Sequence, residues 1–182
     1  MTNRIAFICA FAALALAPAA HARSFDDYPD TRVDYYYVSG TTAAQLREEM
    51  RRLGPNNGGA NHATARAFYT FDWSATGDAR GRCRADVRIS TRIRFPRHTN
   101  PAALSPQLRD EWTRFIRALE RHEVGHVRLA YDALPTLKNA LEAGSCAGAE
   151  ARASKVDIEL RRKQEAFDRD PANRVPGLRE VR

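Results

Sequence analysis

The sequence predicts an α+β fold in which a small antiparallel sheet packs on one long helix, with a second antiparallel helix lying across it. Three observations predict it. From Cys83 to Phe95 an apolar set that includes Thr91 alternates with a polar set of five charged residues and Ser90, the mark of a half-buried strand. From Ser105-Pro106 onward, Trp112, Phe115, Ile116 and Leu119 recur at helical spacing. After a break at Gly144, a further helical stretch runs from about Ala149 to Asp168 and carries Val156, Leu160 and Phe167.

Each element follows from local chemistry. Arg4, the apolar run Ile5 to Ala17 and the small-x-small triplet Ala20-His21-Ala22 read as a signal peptide over residues 1–22, cut after Ala22. Residues 23–182 are then read as one domain. Val33 to Val38 is rich in β-formers and reads as a strand. Thr42 with Gln45 has the form of a capping box, so Ala43 to Leu53 reads as a helix, stopped by Gly54-Pro55. Asn56 to Ala63 is a polar, glycine-rich loop, and Phe68 to Trp73 alternates as a second strand. No helix separates it from the strand beginning at Cys83, so that pair is expected to be antiparallel. Pro96 is expected to end the third strand. Ser105 as N-cap with Pro106 behind it starts the long helix, and Pro135 is expected to kink or interrupt it. From Pro171 the chain is rich in Pro, Gly and Arg and is expected to be loosely held.

The long helix carries His122-Glu123-Val124-Gly125-His126. Positions four apart share a helix face, so His122 and His126 can bind one zinc ion. Glu123 beside the first His reaches a zinc-bound water rather than the metal, and is read as the general base. A catalytic zinc takes a third protein ligand. Asp132 lies six residues past His126, where the helix has turned away, and is read as a surface acid. In an antiparallel helix pair turning near Ser145, equal rise per residue sets Asp168 and Glu165 level with the metal. Asp168 is the expected third ligand, with Glu165 as the alternative. Tyr35, Tyr36, Tyr37 and Tyr131 are candidates for stabilising an oxyanion, but tyrosine in a strand is more often a packing residue, and none is assigned.

These features resemble the predicted secreted zinc-dependent proteases of bacteria classed as domain-of-unknown-function family 922. The residues that carry the resemblance are Tyr37-Val38-Ser39-Gly40, Gly54-Pro55, Ala63-Thr64, Trp73, Cys83, Trp112 and Phe115. The His122 to His126 motif, Cys146 and the Gln164 to Asp168 stretch complete it. The resemblance implies a zincin-like metallopeptidase and supports pairing Cys83 with Cys146. The family's closing segment reads Tyr-Asp, then a Thr and a His-Gly. Here Phe167-Asp168 is followed by Pro171 and Asn173 in the Thr and His positions. If that His is the family's third ligand, the role here passes to Asp168 or Glu165, or zinc is held more weakly. His98 and His62 have no ligand spacing and are read as ordinary loop histidines.

The chain has 29 Lys and Arg against 22 Asp and Glu, a formal charge of +7. The basic residues are scattered, so they are read as a solvated surface with no nucleic-acid partner. Past the predicted signal peptide no segment is apolar enough to span a membrane. The two cysteines that remain, Cys83 and Cys146, suggest one disulfide in an oxidising compartment. The functional expectation is a monomeric zinc metallopeptidase of the periplasm or the medium, acting on peptide or protein substrate. The alternative is an inactive or weakly active envelope protein of the same build that binds a partner or a cell-wall polymer.

Overall fold

The strand that begins at Cys83 pairs on both sides and so forms the middle of the sheet. The structure, a computed structural model, describes residues 24–56 and 62–181; the predicted signal peptide lies outside the described residues. Strand β1 (Thr31–Val38) is followed by helix α1 (Ala43–Leu53), strands β2 (Arg66–Gly77) and β3 (Cys83–His98), then helices α2 (Pro106–Asp132), α3 (Leu134–Glu142) and α4 (Ala149–Arg169). The sheet order is β1-β3-β2. The inward face of β3 presents Ala85, Ile89, Thr91, Ile93 and Phe95, all buried. Trp112, Phe115, Leu119 and Val127 of α2 are buried as well. Each such aromatic or aliphatic side chain contributes about 1.5–3 kcal/mol when taken out of water.

The sheet is mixed, not wholly antiparallel as expected. β2 and β3 pair antiparallel, but β1 runs parallel to β3. The reason is the connection: α1 and β2 both lie between β1 and β3, a link long enough to join parallel strands, whereas the short turn between β2 and β3 joins antiparallel ones. β3 also runs through Pro96 to His98, where Pro96 was expected to end it. Pairing with β2 stops at Arg94, so the N–H that Pro96 lacks costs no ladder bond on that side.

The long helix breaks as Pro135 predicts. α2 ends at Asp132, and α3 starts at Leu134 with the proline in its first turn. Cys83 and Cys146 form a disulfide across 63 residues of chain, worth about 4 kcal/mol by loop closure. The chain after α4 is not loose. Leu178 is buried in the main core cluster, with Val175 and Val181 against it. Arg47 donates to the Leu178 carbonyl, and Arg179 binds Glu111 through its backbone N–H and its guanidinium. Composition suggested mobility, but three apolar anchors and a buried acid decide otherwise. Among the described residues no helix is long and apolar enough to cross a membrane.

Candidate metal centre

On α2, helical pitch places His122 and His126 on one face with their Nε2 atoms 3.1 Å apart. From α4, Asp168 brings Oδ1 to 3.2 Å from Nε2 of His122 and 2.8 Å from Nε2 of His126. Three potential ligand atoms therefore converge. Glu165 lines the same cleft, but its carboxylate sits 3.6 Å from Arg169. Asp132 lies out near Arg128, at 4.0 Å.

The histidine tautomers follow from their outer partners. Nδ1 of His122 is 2.8 Å from the Asn173 carbonyl, which can only accept. The Gln164 amide nitrogen donates to the His126 carbonyl, which leaves its Oε1 to accept from His126 Nδ1. Both rings thus carry their proton on Nδ1 and turn an Nε2 lone pair inward. Two lone pairs and a carboxylate oxygen face one another, an arrangement that calls for a positive charge between them. A tetrahedral zinc with ligands at 2.0–2.1 Å needs ligand-ligand edges of about 3.3 Å. The three edges here are within half an ångström of that, so the residues fit the ion.

Gly125 sets how closely α4 approaches. The Phe167 ring lies where a side chain at 125 would be: a Cβ there would come within 2.2 Å of Cζ. The same ring packs 5.3 Å from the His122 ring and 4.9 Å from that of His126. Phe167 thus seats α4 on the bare turn of α2, and Asp168 follows one residue later.

Glu123 is buried, with 3% of its surface exposed, and its Oε2 has no hydrogen-bond partner among the described residues. Burial pushes its carboxyl up to about 8; the Ala67 amide, which donates to it, pulls the other way, and the Asp168 charge adds to the rise. Ala67 belongs to β2, an edge strand. The first residues of β2 and one face of α4 wall a cleft of about 850 Å³ above His122, Glu123 and His126.

The other sequence candidates lie elsewhere. His98 is buried, not on a loop; it hydrogen-bonds the Gly40 carbonyl and accepts from Asn100 N–H. His62 bonds the Gly54 carbonyl. Tyr36 donates to the Thr64 carbonyl, and burial raises its phenol. Tyr35 and Tyr37 are exposed on β1, at the far edge of the sheet. Tyr131 is packed against Tyr28. The tyrosine that does line the cleft is Tyr69, which alternation alone marks only as an inward strand residue. The family resemblance marks Gln164 as a position, but neither its supporting role nor that of the Asn173 carbonyl can be read from the sequence, because both depend on how α4 lies on α2.

A family model described as a bacterial protein of unknown function (DUF922) matches residues 33–174. The chain belongs to that family. The match runs from β1 through α4 to Arg174 and so includes every residue of the candidate metal centre. No curated protein and no solved structure matches the chain.

Proposed function

We propose that this DUF922 protein is an exported zinc metallopeptidase, with His122, His126 and Asp168 as ligands and Glu123 as general base. The observation that carries the reading is the convergence of two inward Nε2 lone pairs and a carboxylate oxygen beside a buried glutamate. Export rests on the signal-peptide pattern of residues 1–22 and suits the disulfide.

Zinc held by these atoms would lower the pKa of a bound water to about 7 and polarise a peptide carbonyl. The protein's own residues supply the rest. A cation held beside Glu123 would favour its carboxylate form, in which Glu123 would take a proton at Oε2 from the attacking water and return it to the departing amine. The Ala67 amide fixes the other side of that carboxylate. Gln164 and the Asn173 carbonyl hold the two imidazoles in the ligating tautomer. The free edge of β2 along the cleft offers an extended substrate a strand to pair with.

The test is metal analysis of wild-type protein and Glu123→Gln, with both assayed on an unfolded protein substrate. One zinc per chain in both proteins, with cleavage by wild type alone, is the expected result. Metal without cleavage in either would move the chain to a binding role in the envelope. No zinc after reconstitution would remove the site altogether.

A further inference from the structure

We propose that the outer face of the sheet, at the start of β2, is a docking platform for an acidic stretch of polypeptide, carried on the same chain that the cleft would hold. Only the identity of that chain as substrate rests on the peptidase reading; the docking itself does not.

The observation is a segregation of charge along one strand face. Residues opposite one another in neighbouring strands share a face. In two adjacent rows, Arg92 lies between Arg32 and Phe68, and Arg94 lies between Asp34 and Arg66. Arg32 thus stands opposite Arg92, and Arg66 opposite Arg94. Like charges directly across a sheet are destabilising. Further down the same face of β3 the pattern differs. Arg88 is opposite Asp72 and 3.7 Å from Asp86, and Arg84 is 3.7 Å from Asp78. One end of the strand matches its arginines with acids, and the other end stacks them against each other.

Arg66 donates to the Asn56 carbonyl and Arg94 to the Tyr35 carbonyl, and the acid within those rows is Asp34. It bonds Arg32 at 2.8 Å and stands 4.0 Å from Arg92. Aromatic rings hold the forks in place. The Arg66 and Arg92 guanidinium carbons sit 5.1 and 5.5 Å from the Phe68 ring centre, and that of Arg94 sits 5.5 Å from the Tyr36 ring. A planar fork already oriented on a ring matches a carboxylate with little further ordering. Both arginines that reach Asp34 stay accessible, the Arg32 side chain being 80% exposed and that of Arg92 64%.

Position identifies the occupant as polypeptide. Arg66 belongs to the platform and also lines the cleft, and it opens the edge strand at which an extended chain can pair. A chain leaving the cleft along β2 meets the guanidiniums directly, and Asp or Glu side chains are the groups that complement them.

The experiment uses the full chain with EDTA present, so that no metal-dependent cleavage intervenes. Fluorescent peptides of about ten residues, one rich in Glu and one neutral, are titrated at low salt and compared with anionic vesicles and a short DNA duplex. The Glu-rich peptide should bind, and binding should weaken with salt. The double variant Arg32→Gln/Arg92→Gln should lose roughly tenfold in affinity, as expected when charge-assisted contacts go. Its thermal midpoint at low salt should change little, because relief of the like-charge pair offsets the loss of both ion-pair partners of Asp34. Binding should persist in His122→Ala, so failure of the zinc reading leaves this result standing. Equal affinity of wild type and double variant overturns the proposal, as does preference for vesicles, DNA or the neutral peptide.

Discussion

The two halves of the candidate metal centre are built in different ways. The α2 half is local: His122, Glu123 and His126 fall within five residues, and the pitch of one helix brings them together. The α4 half is assembled at long range. Asp168, Gln164 and the Asn173 carbonyl reach the histidines from 38 to 51 residues away in sequence, and depend on a helix break at Pro135, a disulfide and a docked tail. The first half can survive any change that leaves one helix folded. The second is only as good as the packing of α4 on α2. If the site is a working centre, damage to either half should be felt at the metal, but by different routes.

The largest effect should come from the local half. Replacing His126 with Ala removes a ligand outright, and zinc affinity should fall by more than the roughly 10–100-fold that loss of an outer-shell partner causes. Equilibrium titration against a chelator measures this. The fold should change little, because His126 is only partly buried. A variant that binds zinc as well as wild type would mean that the convergence of the three atoms has no connection with metal.

Gly125→Ala separates local propensity from packing by the sign of its effect. In an isolated helix the change should stabilise by about 1 kcal/mol. Here the new Cβ would meet the Phe167 ring at 2.2 Å, and overpacking of this kind costs about 1–3 kcal/mol. Packing should win. Denaturant unfolding should show a net loss of stability, and zinc affinity should drop because α4 and Asp168 are pushed outward. Adding Phe167→Ala should recover part of the stability but not Asp168's position. If Gly125→Ala proves more stable than wild type, α4 does not sit where the structure has it.

Gln164→Leu keeps volume and helix propensity but removes both hydrogen bonds to His126. Zinc affinity should fall by about 10–100-fold. Nitrogen NMR of the metal-free protein should show His126 losing its single tautomer while His122, held by the Asn173 carbonyl, keeps its own. The same shift at both rings would point to a general loosening instead of a positioning role for Gln164.

The contrast between the halves also explains what was legible in the sequence. The strands, the four helical stretches and the α2 half each carry their own periodicity. Asp168 was reachable because two antiparallel helices of equal rise meet at countable positions, a rule that survived the break at Pro135. The parallel pairing of β1 was not reachable: Val33 to Val38 announces a strand, while its neighbour is set by the long connection through α1 and β2 to β3. The roles of Gln164 and the Asn173 carbonyl were hidden for the same reason, since an amide side chain and a backbone oxygen acquire meaning only from what lies opposite. The tail was misjudged because Pro and Gly in 171–177 outweighed one leucine, and that leucine, Leu178, is 4% exposed.

That tail supplies the smallest and most pH-sensitive link. Asn173 lies between α4 and the point where Arg179 is tied to Glu111 of α2. Hydrogen bonds from Arg114 and Arg179 hold the Glu111 carboxyl far below the usual carboxylate range. A carboxyl depressed in the folded state stabilises it above the ordinary Glu value of about 4.3, and that contribution disappears as pH falls toward the depressed one. The tie should therefore be complete at neutral pH and begin to weaken below about pH 4. Glu111→Gln should be less stable than wild type at pH 7, and the two stabilities should converge in acid. Amide hydrogen exchange at Val175 to Val181 reads the tail directly and should be faster in the variant at pH 7. The effect at the metal should be modest, because Asn173 is also held by its own side-chain bond to the Phe167 carbonyl. Loss of zinc from Glu111→Gln as large as that from Gln164→Leu would show that the tail positions His122 as strongly as α4 positions His126, and the two halves would then be one cooperative unit.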